Sequence, residues 1–183
     1  MPDSTAHKKY SSLTVGILVL VVSLAVYKLI GYLYFLVLST HYGSYIPTSF
    51  EIEENVFAGD RIGGFIEGCG VAVFKLSEKT SASISGGGVT FLNKNSKISN
   101  SKHKQYNAWR ETPFVFGLNE YLVFGHLVNE DAGGNTCVDF PSPLKENILS
   151  AINRPGAFYT RFNKNTELLV IPSLTLAVFS HDR

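Results

Sequence analysis

Residues 13–38 form an apolar run long enough to cross a bilayer, and they precede every segment able to fold as a globular domain. A hydrocarbon core takes about 20 apolar residues of helix, and this run exceeds that with one charge, Lys28, inside it. Leu13, Val15, Ile17, Leu18, Val19, Leu20, Val21, Val22, Leu24, Val26, Leu29 and Ile30 cover every side of a helix, leaving no polar stripe to face water. Each such residue favours insertion by about 0.3 to 0.6 kcal/mol near the helix centre, against about 2.5 to 3.5 kcal/mol lost for a central lysine. Insertion wins. Lys28, in the last third of a bilayer-length span that starts near Leu13, either snorkels its ammonium to the head groups or meets a carboxylate on a partner helix.

The flanks set an orientation. Lys8 and Lys9 precede the run, whereas after Lys28 no lysine or arginine occurs until Arg61, and Glu51, Glu53, Glu54 and Asp60 intervene. The positive-inside rule then leaves residues 1–12 as a cytoplasmic tail and puts the rest outside. Tyr27, Tyr32, Tyr34, Phe35, Tyr42 and Tyr45 crowd the far end, where amphipathic rings favour the head-group layer. A cleaved signal peptide is the competing reading. Its apolar stretch is ordinarily about 7 to 15 residues and ends at an A-x-A-like site, for which Val37 and Ser39 are a weak substitute. The run is therefore read as a single-pass signal-anchor in the cell membrane, the inner membrane if the cell is Gram-negative, with the C-terminal domain periplasmic. The absence of any N-x-S/T sequon mildly favours a bacterial envelope.

Residues 39–60 read as a membrane-proximal connector, with turn formers Gly43, Ser44 and Pro47 ahead of an acidic patch, and residues 61–183 as one α+β domain. Three of the 16 basic and one of the 15 acidic residues lie in the first 44, so the remainder carries 13 and 14, a net −1. A near-neutral domain points away from nucleic acid as a partner. Cys69 and Cys137 both fall in the part read as extracytoplasmic, where a disulfide is the default and would close a loop worth about 4 kcal/mol. A buried unreactive thiol is the alternative. No close pair of cysteines or histidines starts a metal site, and no cofactor is called for.

Val71–Leu76 is a nearly unbroken apolar strand, and Ser77 is placed to cap a helix with Ala82 and Ile84 inward. Gly86, Gly87 and Gly88 are expected to end that helix and Val89–Leu92 to resume an extended chain. Residues 93–105 form a polar loop in which Lys94, Lys97, Lys102 and Lys104 make either a solvated face or a contact with an anionic surface. Phe114–Phe116 and Tyr121–Leu127 suggest a hairpin. Ser142 and Pro143 read as cap and first residue of a helix carrying Leu144, Ile148, Leu149 and Ile152, ended by Pro155 and Gly156. Strands at 157–162, 168–171 and 174–179, joined by short turns, predict a mainly antiparallel sheet.

No catalytic signature is present: no G-x-S-x-G, H-E-x-x-H, P-loop, G-x-G-x-x-G or complete S-x-x-K set. His126, at the end of a predicted strand and near Glu120, Glu130, Asp131 and Asp139, is the one weak catalytic candidate, against a plain structural histidine. Trp109 beside Arg110 is either an interface anchor or a core plug whose N–H finds a partner. The sequence therefore favours a membrane-anchored extracytoplasmic interaction module that binds another envelope protein as an assembly component, inhibitor or immunity-type protein. The alternative is a tethered hydrolase or small-ligand-binding domain working through His126 and a carboxylate.

Overall fold

The computed structural model describes residues 5–60, 68–99, 106, 108–113, 138, 141–163 and 166–181. The chain divides into two compact units, Met1–Val37 and Leu38–Arg183. It is α+β: an apolar N-terminal helix and a six-stranded, wholly antiparallel sheet.

Helix α1, Thr5–Gly43, contains the stretch Thr14–Gly43, which is long and apolar enough to cross a membrane and so suits either an anchor or a signal sequence. From Val15 to Val37 its large apolar side chains are exposed, apart from the half-buried Phe35. The helix runs five residues beyond the expected end at Leu38, because hydropathy falls there while helical spacing does not. Leu38 and Tyr42, four apart and each 1% exposed, share an inward face. Termination comes at Gly43, where Ser44 returns its hydroxyl to the His41 carbonyl at 2.7 Å and its backbone N–H to Thr40 and His41.

The sheet comprises β1 (Ile52–Asp60), β2 (Gly70–Leu76), β3 (Arg110–Glu111), β4 (Phe158–Asn163), β5 (Thr166–Ile171) and β6 (Leu176–His181) in the order β1-β2-β6-β5-β4-β3. Strand β1 replaces much of the expected connector at 39–60. Its sequence hid it, because two register irregularities break the alternation and acidic residues occupy exposed positions, both normal protections of a sheet edge. Upstream, Ile46 and Phe50 are also core residues, so the segment packs against the domain.

The three central strands are buried on both faces, which is why they read as continuous apolar runs. Ala72, Phe74 and Leu76 of β2, Leu168 and Val170 of β5, and Ala177 and Phe179 of β6 line one face with Leu38, Tyr42, Ile46 and Phe50. Val71 and Val73, Leu169 and Ile171, and Leu176 and Val178 line the other. The first face is covered by the end of α1 and by α2 (Glu78–Lys94), through Ile84 and Leu92; the second is covered by α3 (Ser142–Ile152), through Ile148 and Ile152.

Ser77 caps α2 as expected, accepting the Thr80 N–H at 3.1 Å. The glycines do not end this helix. Only Gly88 leaves helical geometry, at φ 51° and ψ −144°, so the helix kinks and then resumes to bury Leu92, placing Val89–Leu92 in helix rather than strand. Ala82 faces solvent, not the core. At α3 the cap position belongs to Pro141, without a side-chain hydrogen bond, and Ser142 is already helical. Strands β4, β5 and β6 form the expected meander; a 3₁₀ turn at Pro172–Leu174 and a left-handed Thr175 delay β6 by two residues, and it runs on to His181. The hairpin expected at 114–127 lies outside the described residues.

Leu168, fully buried at mid-sheet, gives a direct test of the two-sided core. Leu168→Ala should lower unfolding stability by about 2 to 5 kcal/mol, followed in denaturant by the fluorescence of the single tryptophan.

Candidate functional site at the helix–sheet junction

The row of residues closing one end of the sheet runs Asp60, Gly70, His181, Thr166 and Asn163 across five strands. Above it sits the last turn of α1. Tyr42 lies with its hydroxyl 3.2 Å from His181 Nε2, the imidazole tautomer deciding which of the two donates. A Cβ on Gly70 would collide with that hydroxyl and come within 2.9 Å of His181 Nε2, so the missing side chain is what lets the phenol reach the histidine. Phe179 stacks on Tyr45 at 4.9 Å between ring centroids and contacts Tyr42 at 5.5 Å; His41 meets both tyrosines edge-on. The arrangement is a lock between a helix end and a sheet, with a polar contact inside an aromatic cluster.

A second lock continues along the same face. Tyr106 donates its hydroxyl to the Tyr45 carbonyl at 2.8 Å, and Trp109 donates its indole N–H to Ser96 Oγ at 2.9 Å while its backbone N–H bonds Asn93 Oδ1. Trp109 is 2% exposed, so it is the core plug and not an interface anchor; Arg110, in the short edge strand β3, is exposed. The polar partner that an indole requires in a core is Ser96, which itself donates to the Leu92 carbonyl at 2.6 Å. Burial, and secondarily Tyr45, pushes the Tyr106 phenol well above the ordinary tyrosine value.

On the α3 side, one row inward, Arg161, Glu167 and Ser180 stand on adjacent strands, followed by Val71 and Gly59. Glu167, 2% exposed, accepts from Arg161 Nε at 2.5 Å; Ser180 Oγ is buried with no hydrogen-bond partner among the described residues. Removing either charge would strand its partner in an apolar layer. Two opposite charges flanking a turn-forming Asn163–Asn165 segment were the available sequence signal for this pair. Nothing comparable announced Tyr42 and His181, which are 139 residues apart.

The other candidates separate. Lys28 is exposed on α1, and Lys94 and Lys97 are exposed at the end of α2 and just beyond it, where Lys97 also accepts the Thr48 N–H through its carbonyl. Lys94 is thus helical and not part of a loop. Lys102, Lys104, His126 and Cys137 lie outside the described residues. Cys69 leads into β2 and is not a free thiol. Among the described residues no group of three or more His, Cys, Asp and Glu side chains is placed to hold a metal ion.

Two outcomes test the locks. Gly70→Ala should destabilise the fold by about 1 to 3 kcal/mol, and Tyr42→Phe, by removing the oxygen that the new methyl strikes, should recover part of that loss in a double-mutant cycle of unfolding midpoints. Tyr106 must stay neutral in the fold, while the unfolded phenol ionises near pH ~10. Its contribution is therefore complete below that pH and is lost as pH rises above it. Tyr106→Phe should flatten the alkaline limb of the stability profile and cost about 1 kcal/mol near neutrality.

No protein-family model, curated protein or solved structure matches this chain.

Proposed function

We propose that the chain is a single-pass, membrane-anchored interaction module of the cell envelope, with residues 1–12 cytoplasmic and the domain extracytoplasmic, where it binds another envelope protein. The observation that carries the anchored reading is the burial of Leu38 and Ser39, 1% and 2% exposed, in the last helical turns of α1. The weak cleavage signal at Val37 and Ser39 falls on these residues. Removing the helix there would take Leu38 out of the core, at a cost typical of large-to-small core changes, about 2 to 5 kcal/mol. An anchor retained for the life of the protein agrees with a domain whose core includes the anchor's end.

Support for a binding role comes from β1. Beyond α1, the exposed large apolar side chains among the described residues are Ile52 and Val56, both on this edge strand, flanked by Glu53 and Glu54. Exposed apolar residues on a strand that ends the sheet among the described residues, with an acidic rim, give a partner surface to bury and a charge to match.

A disulfide between Cys69 and Cys137 completes the proposal. Cys69 precedes Gly70, which pairs with Asp60, while Val138, next after Cys137, packs against Gly59. Both cysteines thus attach to chain that meets the same end of β1, as a bridge requires.

Intact-mass measurement of protein purified from membranes should return the full 183-residue chain, and a reporter active only in the cytoplasm, fused after Arg183, should stay silent. A mass lacking the first 39 residues would replace the anchor with a leader; an active reporter would reverse the orientation.

A further inference from the structure

The row Arg161, Glu167 and Ser180 holds polar atoms that the pairing of its two charges does not satisfy. Arg161 stands opposite Glu167 across β4 and β5, and Glu167 opposite Ser180 across β5 and β6. The three side chains are therefore neighbours on one face, with Cβ atoms about 5 Å apart. Arg161 Nε donates to Glu167 Oε1. Arg161 Nη2 and Ser180 Oγ, both buried, reach no hydrogen-bond partner among the described residues. They flank Glu167, one from β4 and the other from β6. Buried polar atoms are almost always given a partner, because leaving one without costs more than the bond itself contributes. Ser180 also breaks the pattern of its strand. Leu176 and Val178 fill the same face with branched aliphatic side chains, and a serine in their line lacks the carbons that would fill the layer. The place is polar and short of side-chain volume at once.

We infer that this row binds one internal water molecule. The water accepts from Arg161 Nη2, shares a hydrogen bond with Ser180 Oγ and donates to the Glu167 carboxylate, about three bonds, the usual number for a buried water. The charges select it over other small occupants. A chloride or a carboxylate suits the guanidinium and the hydroxyl but is repelled by Glu167, and a cation suits Glu167 but is repelled by Arg161. A neutral molecule that both donates and accepts suits all three. The Arg161 side chain is 26% exposed, so the row lies one side chain away from solvent and water can exchange along it. Bound there, the water joins β4, β5 and β6 one row inside the end where His181 meets Tyr42, and it adds to the solvation of a buried ion pair.

Crystals of the full chain, grown once with chloride and once with bromide, test this directly. They should show one isolated density peak about 2.7 to 3.2 Å from both Ser180 Oγ and Arg161 Nη2, with no anomalous signal from bromide. A bromide peak assigns the place to an anion, while a protein atom touching both groups, or no peak between them, denies the site; each overturns the inference. Stability gives a second reading, of opposite sign in the two cases. Where the hydroxyl holds a water, Ser180→Ala removes a bond and should raise the unfolding equilibrium constant about fivefold. A hydroxyl buried without a partner is better removed, so an unchanged or lowered constant also overturns the inference.

Discussion

An antiparallel sheet buried on both faces must be supplied with an apolar layer on each, and in this chain part of one layer is the end of the apolar N-terminal helix. Leu38 and Tyr42 stand in the same cluster as Phe74, Leu168 and Phe179. The other contributions to that face, from Ile46, Phe50, Ile84, Leu92 and Trp109, extend the layer outward from it. The hydrophobic effect that would put the first part of α1 into lipid and the one that closes the domain therefore act on successive turns of one helix. Polar contacts then fix register within the layer: Tyr42 to His181, Tyr106 to the Tyr45 carbonyl, and Trp109 to Ser96. Each gives a polar group at the core a partner, which adds little net energy but makes other packings costly.

The contrast between the two faces is chemical as well as geometric. The face under α1 and α2 is rich in rings, with the polar atoms at their edges. The face under α3 is aliphatic through Val71, Val73, Leu169, Ile171 and Val178, and then carries an arginine, a glutamate and a serine in one row. Charges in such a layer are tolerated when paired, and Arg161 and Glu167 are brought together by the hairpin that joins β4 to β5.

Sequence reading succeeded where one residue's environment is set by its neighbours in the chain. The apolar runs of β2, β5 and β6, the Ser77 cap and the inward spacing of α3 are of this kind. It failed where tertiary contact overrides a local signal. Three glycines look like a stop, yet Gly86 and Gly87 stay helical because Leu92 further on has a core to enter. The acidic, irregular 52–60 stretch looks like a spacer, yet pairing with β2 needs only its backbone. The junction was least legible of all. Tyr42 resembled one more interfacial aromatic and nothing near His181 in the chain marked it, because their meeting depends on Gly70, a residue whose contribution is the absence of a side chain.

The order of the strands has a consequence for biosynthesis. β6 comes after both β2 and β5 in the chain yet lies between them, and its His181 holds the end of α1, made before them. Neither β2 nor β5 has its shared neighbour until β6 has been made, and Tyr42 lacks its contact with His181 until then. Folding of the domain is thus deferred until β6 has emerged and proceeds through contacts of long sequence separation, which are slow to form. During that interval the apolar strands are made but unpaired, the state in which a nascent chain depends most on chaperones. A chain broken off before Leu176 would lack the strand that joins β2 to β5.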